Sequence, residues 1–226
     1  MARDTILFDI NETVLNLETL RPRFEAAFGD PGVTATWFAM LLHSSTVCAL
    51  TGVKTGFAEL AGTMVDTLAA RRSVTVSDAQ RTDILGGFAS LKPHDDIVPA
   101  LQTLKSVGYR TVAFSNSSLK LVSSQIENAG LAEHYDEIVS VEETGSFKPD
   151  PKVYQFVADR VSRSLSDLRL VATHDWDTHG AMTAGMAAAY IDRTGAPYHP
   201  LYRRPAVFAT TMGDVVAGIV AEDGRG

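Results

Sequence analysis

Hydrophobic residues fall along the chain in two regimes. Thr5-Ile-Leu-Phe8 is a short apolar, β-prone run that stops at Asp9, the pattern of a buried parallel strand with a carboxylate at its C-terminal edge. The pattern returns at Arg110–Phe114 before Ser115-Asn116, at Glu137–Ser140 on the way to Lys148, at Leu168–Ala172 near Asp175 and Asp177, and at Ala187–Ile191. Helical spacing separates these runs: 97–107 closing at Gly108, 119–129 closing at Gly130, and 151–161 opening after Asp150. Such alternation predicts an α/β fold with a parallel sheet. Residues 17–91 differ, showing only helical periodicity through Trp37, Phe38, Leu41 and Leu42 and later Phe57, Leu60, Met64 and Leu68. An all-helical module over 16–92, punctuated by Gly52, Gly86-Gly87 and Pro93, is therefore expected as an insertion into a core made of 1–15 and 93–226. The chain contains no internal repeat or low-complexity tract.

Composition narrows the function classes. With 226 residues, 45% hydrophobic and 21% charged, the chain can bury a sizeable core, and disorder is not expected. A net charge of −7 and the lack of a Lys/Arg stripe argue against nucleic acid as a partner. A small anion is still compatible, since helix N-termini and single lysines act locally. No apolar run is expected to reach the roughly 18 to 20 residues of a membrane span, and the opening residues lack the apolar stretch of a signal peptide. No membrane partner and a cytoplasmic location are expected. The lone Cys48 has no internal disulfide partner and is expected as a packed, inert thiol.

Several residues can carry chemistry. A carboxylate such as Asp9 is a poor nucleophile in water, but held dry and aligned it can attack carbon or phosphorus; alone it would read as a helix N-cap. An ammonium such as Lys148 within about 4 to 6 Å would keep it ionised, whereas a solvated surface lysine is the plain alternative. Thr13 either donates to Asp9 or its loop, or caps the next segment. Ser115 and Asn116, where a strand gives way to a helix, suit either a turn or the binding of a carboxylate or phosphate.

The order and spacing of Phe8-Asp9-Ile-Asn-Glu-Thr13, Phe114-Ser115-Asn116, Phe147-Lys148-Pro149-Asp150 with Tyr154, Trp176-Asp177-Thr-His-Gly180-Ala181 and Ile191-Asp-Arg193 resemble the haloacid dehalogenase (HAD) superfamily, within it the L-2-haloacid dehalogenases, over almost the whole chain. The resemblance implies a Rossmann-like core with a helical cap and a cytoplasmic hydrolase that cleaves the carbon-halogen bond of short 2-haloacids through an aspartyl ester. Asp9 would be the nucleophile, Lys148 its electrostatic partner and Thr13 an auxiliary donor, while Asp177 and His174 would handle water. Ser115, Asn116, Asn11, Phe38, Trp176 and Tyr154 would line the substrate site. No metal or cofactor is implied, the substrate is a small molecule, and a homodimer is allowed.

Magnesium-dependent phosphatases of the same superfamily are the first alternative, because a residue matching Asp177 helps hold their metal. They place an acid two residues after the nucleophile, here Asn11, and another acid five before Asp177, here Ala172. An amide has no proton to give and a methyl group cannot ligate magnesium. The second alternative, a catalytically silent protein of the same fold, arises because Phe38 stands where the dehalogenases carry a halide-binding arginine. His43, His174, Trp176 and Asn11 are candidate replacements as N–H donors.

Overall fold

The computed structural model describes residues 3–225. The chain ends Met1, Ala2 and Gly226, included in the expected core boundaries, lie outside the described residues. Six parallel strands form one sheet: β1 (Thr5–Phe8), followed after the helical region by β4 (Arg110–Ser115), β5 (Glu137–Ser140), β6 (Leu168–Ala172), β7 (Ala187–Ile191) and β8 (Val207–Ala209). Their spatial order is β5-β4-β1-β6-β7-β8. The unbroken apolar runs are explained by burial: β1 and β6 are buried at every position, as in a sheet covered on both faces. Covering helices are α5 (Ile97–Ser106), α6 (Leu119–Asn128), α7 (Pro151–Arg160), α8 (Asp175–Ala184) and α9 (Met212–Asp223). β8 and α9 extend the fold beyond the five anticipated strands. The chain runs leftwards from β1 to β4 and β5, then crosses to β6 on the other side. The C-terminal edge of β1 is thus a topological switch point, where open α/β sheets bind ligands.

Between β1 and β4 lie α1 (Arg21–Phe28), α2 (Val33–Thr51), α3 (Phe57–Arg72) and α4 (Asp78–Phe88), entered and left through a two-stranded antiparallel ribbon of β2 (Leu15–Asn16) and β3 (Lys92–Pro93). Trp37 is completely buried at their centre, against Phe24 at 5.2 Å and Phe88 at 5.5 Å between ring centroids, and its indole N–H donates to the Ala61 carbonyl. α4 starts with a capping box, Ser77 and Gln80 exchanging side-chain-to-backbone hydrogen bonds.

One expectation is corrected here. α2 has 19 residues and is long and apolar enough, by length and composition, to cross a membrane. Counting one inward stripe hides this, because the helix is apolar on two sides: Trp37, Phe38 and Leu41 are buried, while Val47 and Leu50 are exposed. The inward side packs on the protein's own aromatic core, as in a core helix. Cys48 is partly buried on this helix and unpaired, as expected.

Candidate active site

Asp9 directly follows β1, its backbone N–H donating to the Val171 carbonyl of β6, and only 6% of its surface is exposed. Three groups meet its two oxygens. Lys148 Nζ lies 3.2 Å from Oδ1; Oδ2 accepts from Thr13 Oγ at 2.8 Å and faces His174 Nδ1 at 3.1 Å. Thr13 is itself held by the Thr173 backbone N–H at 2.9 Å. Lys148 is buried and also donates to Asp177 Oδ2 at 2.9 Å and to the Phe114 carbonyl at 2.9 Å, so all three ammonium protons have acceptors.

Burial by itself pushes the Asp9 carboxyl up. The charge of Lys148, the hydrogen bond and charge of His174, and the Thr13 hydroxyl outweigh it and hold Asp9 well below the usual carboxylate range. Burial likewise opposes the charge on Lys148, but Asp177 and Asp9 raise it above its ordinary value. Although Asp177 has the shorter contact with Lys148, its own carboxyl is raised, because burial and the neighbouring charge of Asp9 prevail over Lys148 and Tyr154. One ammonium between two buried carboxylates keeps Asp9, the better connected of them, as the anion.

His174 precedes α8, stacked on Trp176 at 5.1 Å and near Phe38 at 6.2 Å. Burial disfavours its charge, yet hydrogen bonds to Asp9 and Glu12 dominate and lift it to about 10. Its Nε2 reaches Glu12 Oε2 at 2.8 Å. A group raised in this way stabilises the fold fully below its unfolded value near 6.5, and the contribution disappears as pH rises through the folded value. The melting temperature is therefore expected to fall between about pH 6.5 and pH 10, and His174→Asn should flatten that decline in thermal melts across the window.

The structure brings Asp9, Thr13, Lys148, His174 and Asp177 together and places the other candidates around them. Asn116 Oδ1 accepts the Lys148 backbone N–H at 2.9 Å, fixing the lysine loop, while its amide nitrogen remains for a ligand. Ser115 is fully buried, its hydroxyl accepting from the Ser117 N–H at 3.1 Å. Phe38 is 2% exposed and forms apolar wall. Trp176 is half-buried on His174.

Four expectations change in the geometry. Tyr154 is completely buried behind Asp177, its hydroxyl donating to Oδ1 at 2.6 Å, so it orients that carboxylate instead of facing a substrate. With Lys148 on Oδ2, Tyr154 on Oδ1 and no exposed surface, Asp177 holds the lysine and is screened from solvent. The Asn11 amide is spent inside the fold, donating to Ser117 Oγ at 3.3 Å and accepting from Gln125 at 3.1 Å. His43 is exposed on the outer side of α2, beside Thr36, Met40, Met64 and Arg71, and is no site member.

Glu12 was not singled out by sequence patterns. It is a non-glycine residue at φ 65°, and the signal that could have found it is a carboxylate inside the loop that follows the nucleophile.

For a metal, the donor chemistry does not fit. Neither Ala172 nor its neighbour Thr173 brings a carboxylate, and Lys148 stands between Asp9 and Asp177. No three His, Cys, Asp or Glu side chains converge as a metal-binding group among the described residues.

The chain is 23% identical over 213 residues to an (S)-2-haloacid dehalogenase of Pseudomonas sp. (strain YL), covering 93% of this chain and 92% of that protein. It is 33% identical over 122 residues to (S)-2-haloacid dehalogenase 1 of Pseudomonas sp. (strain CBS-3), about half of each chain. Its fold matches an L-2-haloacid dehalogenase from Xanthobacter autotrophicus with chloropropionic acid covalently bound, at a TM-score of 0.89 and 19% identity over 98% of this chain and 99% of that one. Residues 3–167 match the haloacid dehalogenase-like hydrolase family, and the chain belongs to that family of hydrolases.

Proposed function

We propose that the protein hydrolyses the carbon-halogen bond of short 2-haloacids through an ester on Asp9. The observation that carries this reading is a buried carboxylate at the switch point whose ionised form is held by Lys148, Thr13 and His174. Asp9 attacks the carbon bearing the halogen from the side opposite the leaving group. Halide departs with the bonding pair, an ester forms, and configuration at that carbon inverts. Water then adds to the Asp9 carbonyl carbon, and the ester C–O bond on the acyl side breaks to release the 2-hydroxy acid.

A halide needs no proton to leave, which suits an amide at Asn11, whereas a phosphoester alkoxide requires an acid there. The adjacent N–H and O–H donors of Asn116 and Ser115 suit the substrate carboxylate. Phe38 and the indole of Trp176 border the halogen, an apolar wall with one N–H donor replacing an arginine. Residues 16–92 act as the cap that closes over Asp9, and the free Cys48 suits a cytoplasmic setting.

Ion chromatography checks the reading. Chloroacetate, bromoacetate and L-2-chloropropionate are expected to release halide with EDTA present, the last giving the inverted 2-hydroxy acid. Phosphate release from an aryl phosphate, abolished by EDTA, together with no halide from any of the three, would overturn it.

A further inference from the structure

Hydrolysis of the Asp9 ester needs a group that takes a proton from water, and the geometry leaves one pair free to do it. Asp177 has both oxygens occupied by Lys148 and Tyr154. Lys148 is a fully engaged ammonium. His174 is the remaining titratable side chain in contact with Asp9, its Nδ1 3.1 Å from Oδ2.

On its far side His174 meets Glu12 at 2.8 Å, giving an unbroken line Asp9–His174–Glu12. Glu12 is held in this pose against its backbone preference. Its φ of 65° is left-handed, a region a side-chain-bearing residue occupies at a cost unless its surroundings fix it. They do so from both flanks: His94 Nε2 donates to the Glu12 carbonyl at 3.0 Å, and Arg193 donates to the Thr13 carbonyl at 3.1 Å. The outer side of Glu12 lines a cavity of about 240 Å³ with His94 and Arg193, and its side chain is 31% exposed. Phe38 and Trp176, both uncharged, hold the imidazole ring.

We propose that Glu12 is a positioning residue that makes His174 the proton acceptor for ester hydrolysis. The proposal rests on the dehalogenase reading and concerns its second half-reaction.

In the resting enzyme His174 is an imidazolium between two carboxylates. Alkylation converts Asp9 into a neutral ester and removes one of them, so Nδ1 gives up its proton to water entering beside the ester. Nε2–H still donates to Glu12, which fixes the tautomer and points the Nδ1 lone pair at the ester. Water adds to the Asp9 carbonyl carbon and gives a proton to Nδ1. The tetrahedral centre collapses, the bond to the substrate oxygen breaks, and His174 returns that proton to the leaving alkoxide. The Asp9 acid so formed then gives its proton to His174, restoring the starting ion set. Each turnover consumes one organic halide and one water and yields one hydroxy acid, one halide and one proton.

The test is rapid-quench halide release from L-2-chloropropionate, with mass spectrometry of the Asp9 peptide at each time point. Glu12→Gln should give a halide burst near one equivalent per site, then a steady rate lower by on the order of 100-fold. Its Asp9 peptide should carry the mass of the ester. Glu12→Gly, which also relieves the left-handed backbone, should show the same burst and trapped ester. Loss of burst and steady phases together in both variants, without ester, would overturn the proposal, as would unchanged turnover. If the natural protein releases no halide and its Asp9 stays unmodified, the dehalogenase reading fails first and the Glu12 assignment falls with it.

Discussion

Replacing Asp9 with asparagine is expected to lower halide release by on the order of 10⁴-fold or more, the size of effect seen when a covalent nucleophile is removed. The substitution keeps the shape of the side chain but exchanges an anion for a neutral amide. The environment is arranged around that anion: Lys148 on one oxygen, Thr13 and His174 on the other. These same donors fix the reacting oxygen in place, so no water has to reorganise there during the attack. Steady-state halide release by Asp9→Asn, compared with substrate binding measured calorimetrically, checks the prediction. Binding within a few-fold of the natural protein with turnover abolished is the expected outcome, and a rate within about tenfold of it would be incompatible with covalent catalysis.

Lys148→Met is the second large effect, and it should appear in two observables. The ammonium is 1% exposed and lies between Asp9 and Asp177. Its removal leaves two buried carboxylates facing each other and deprives the Phe114 carbonyl of its donor. Breaking a buried ion pair by deleting one partner costs about 3 to 5 kcal/mol, because the remaining charge is uncompensated. The site can reduce that cost by trapping a proton, which raises Asp9 and silences the nucleophile at neutral pH. Chemical denaturation should show the loss of stability, and kcat/KM should fall by at least about 10³-fold. The residual rate should rise with pH as the trapped proton is lost. A variant as stable and active as the natural protein would show that Lys148 is a spectator.

Most of this site could be read in the chain before the fold was known, for identifiable physical reasons. Strands buried on both faces leave continuous apolar runs, so β1, β4, β5, β6 and β7 stood out, and the residue that ends each run marks the sheet's active edge. Asp9, Ser115 and Asn116 were found that way, while Lys148 and Asp177 followed from motif order. β8 was missed because three residues, only one of them buried, carry no such pattern.

Side-chain roles were harder to read than side-chain identities. Tyr154 and Asp177 were both recognised, but their 2.6 Å contact is set by how α7 packs on α8, and that contact removes both from the substrate side. His43 was plausible only as a donor type; its direction depends on the rotation of α2, which a helix apolar on two sides does not reveal. Glu12 was invisible because its part depends on a left-handed backbone and on a partner 162 positions away.

The groups near His174 form a connected set. Phe38 is an uncharged wall, while His174, hydrogen-bonded between Asp9 and Glu12, places a cation beside the nucleophile. Its charge depends on whether Asp9 is free or esterified. Charge at the reacting oxygen and charge on the base are in this way linked through one imidazole ring.

The fate of oxygen in one turnover bears most directly on Asp9 as a covalent nucleophile. With enzyme in excess over L-2-chloropropionate in water enriched in heavy oxygen, the Asp9 peptide should gain the label while the hydroxyl of the released hydroxy acid stays light. A heavy hydroxyl in the product with an unlabelled Asp9 peptide would mean that water attacked the carbon directly, and would contradict the account.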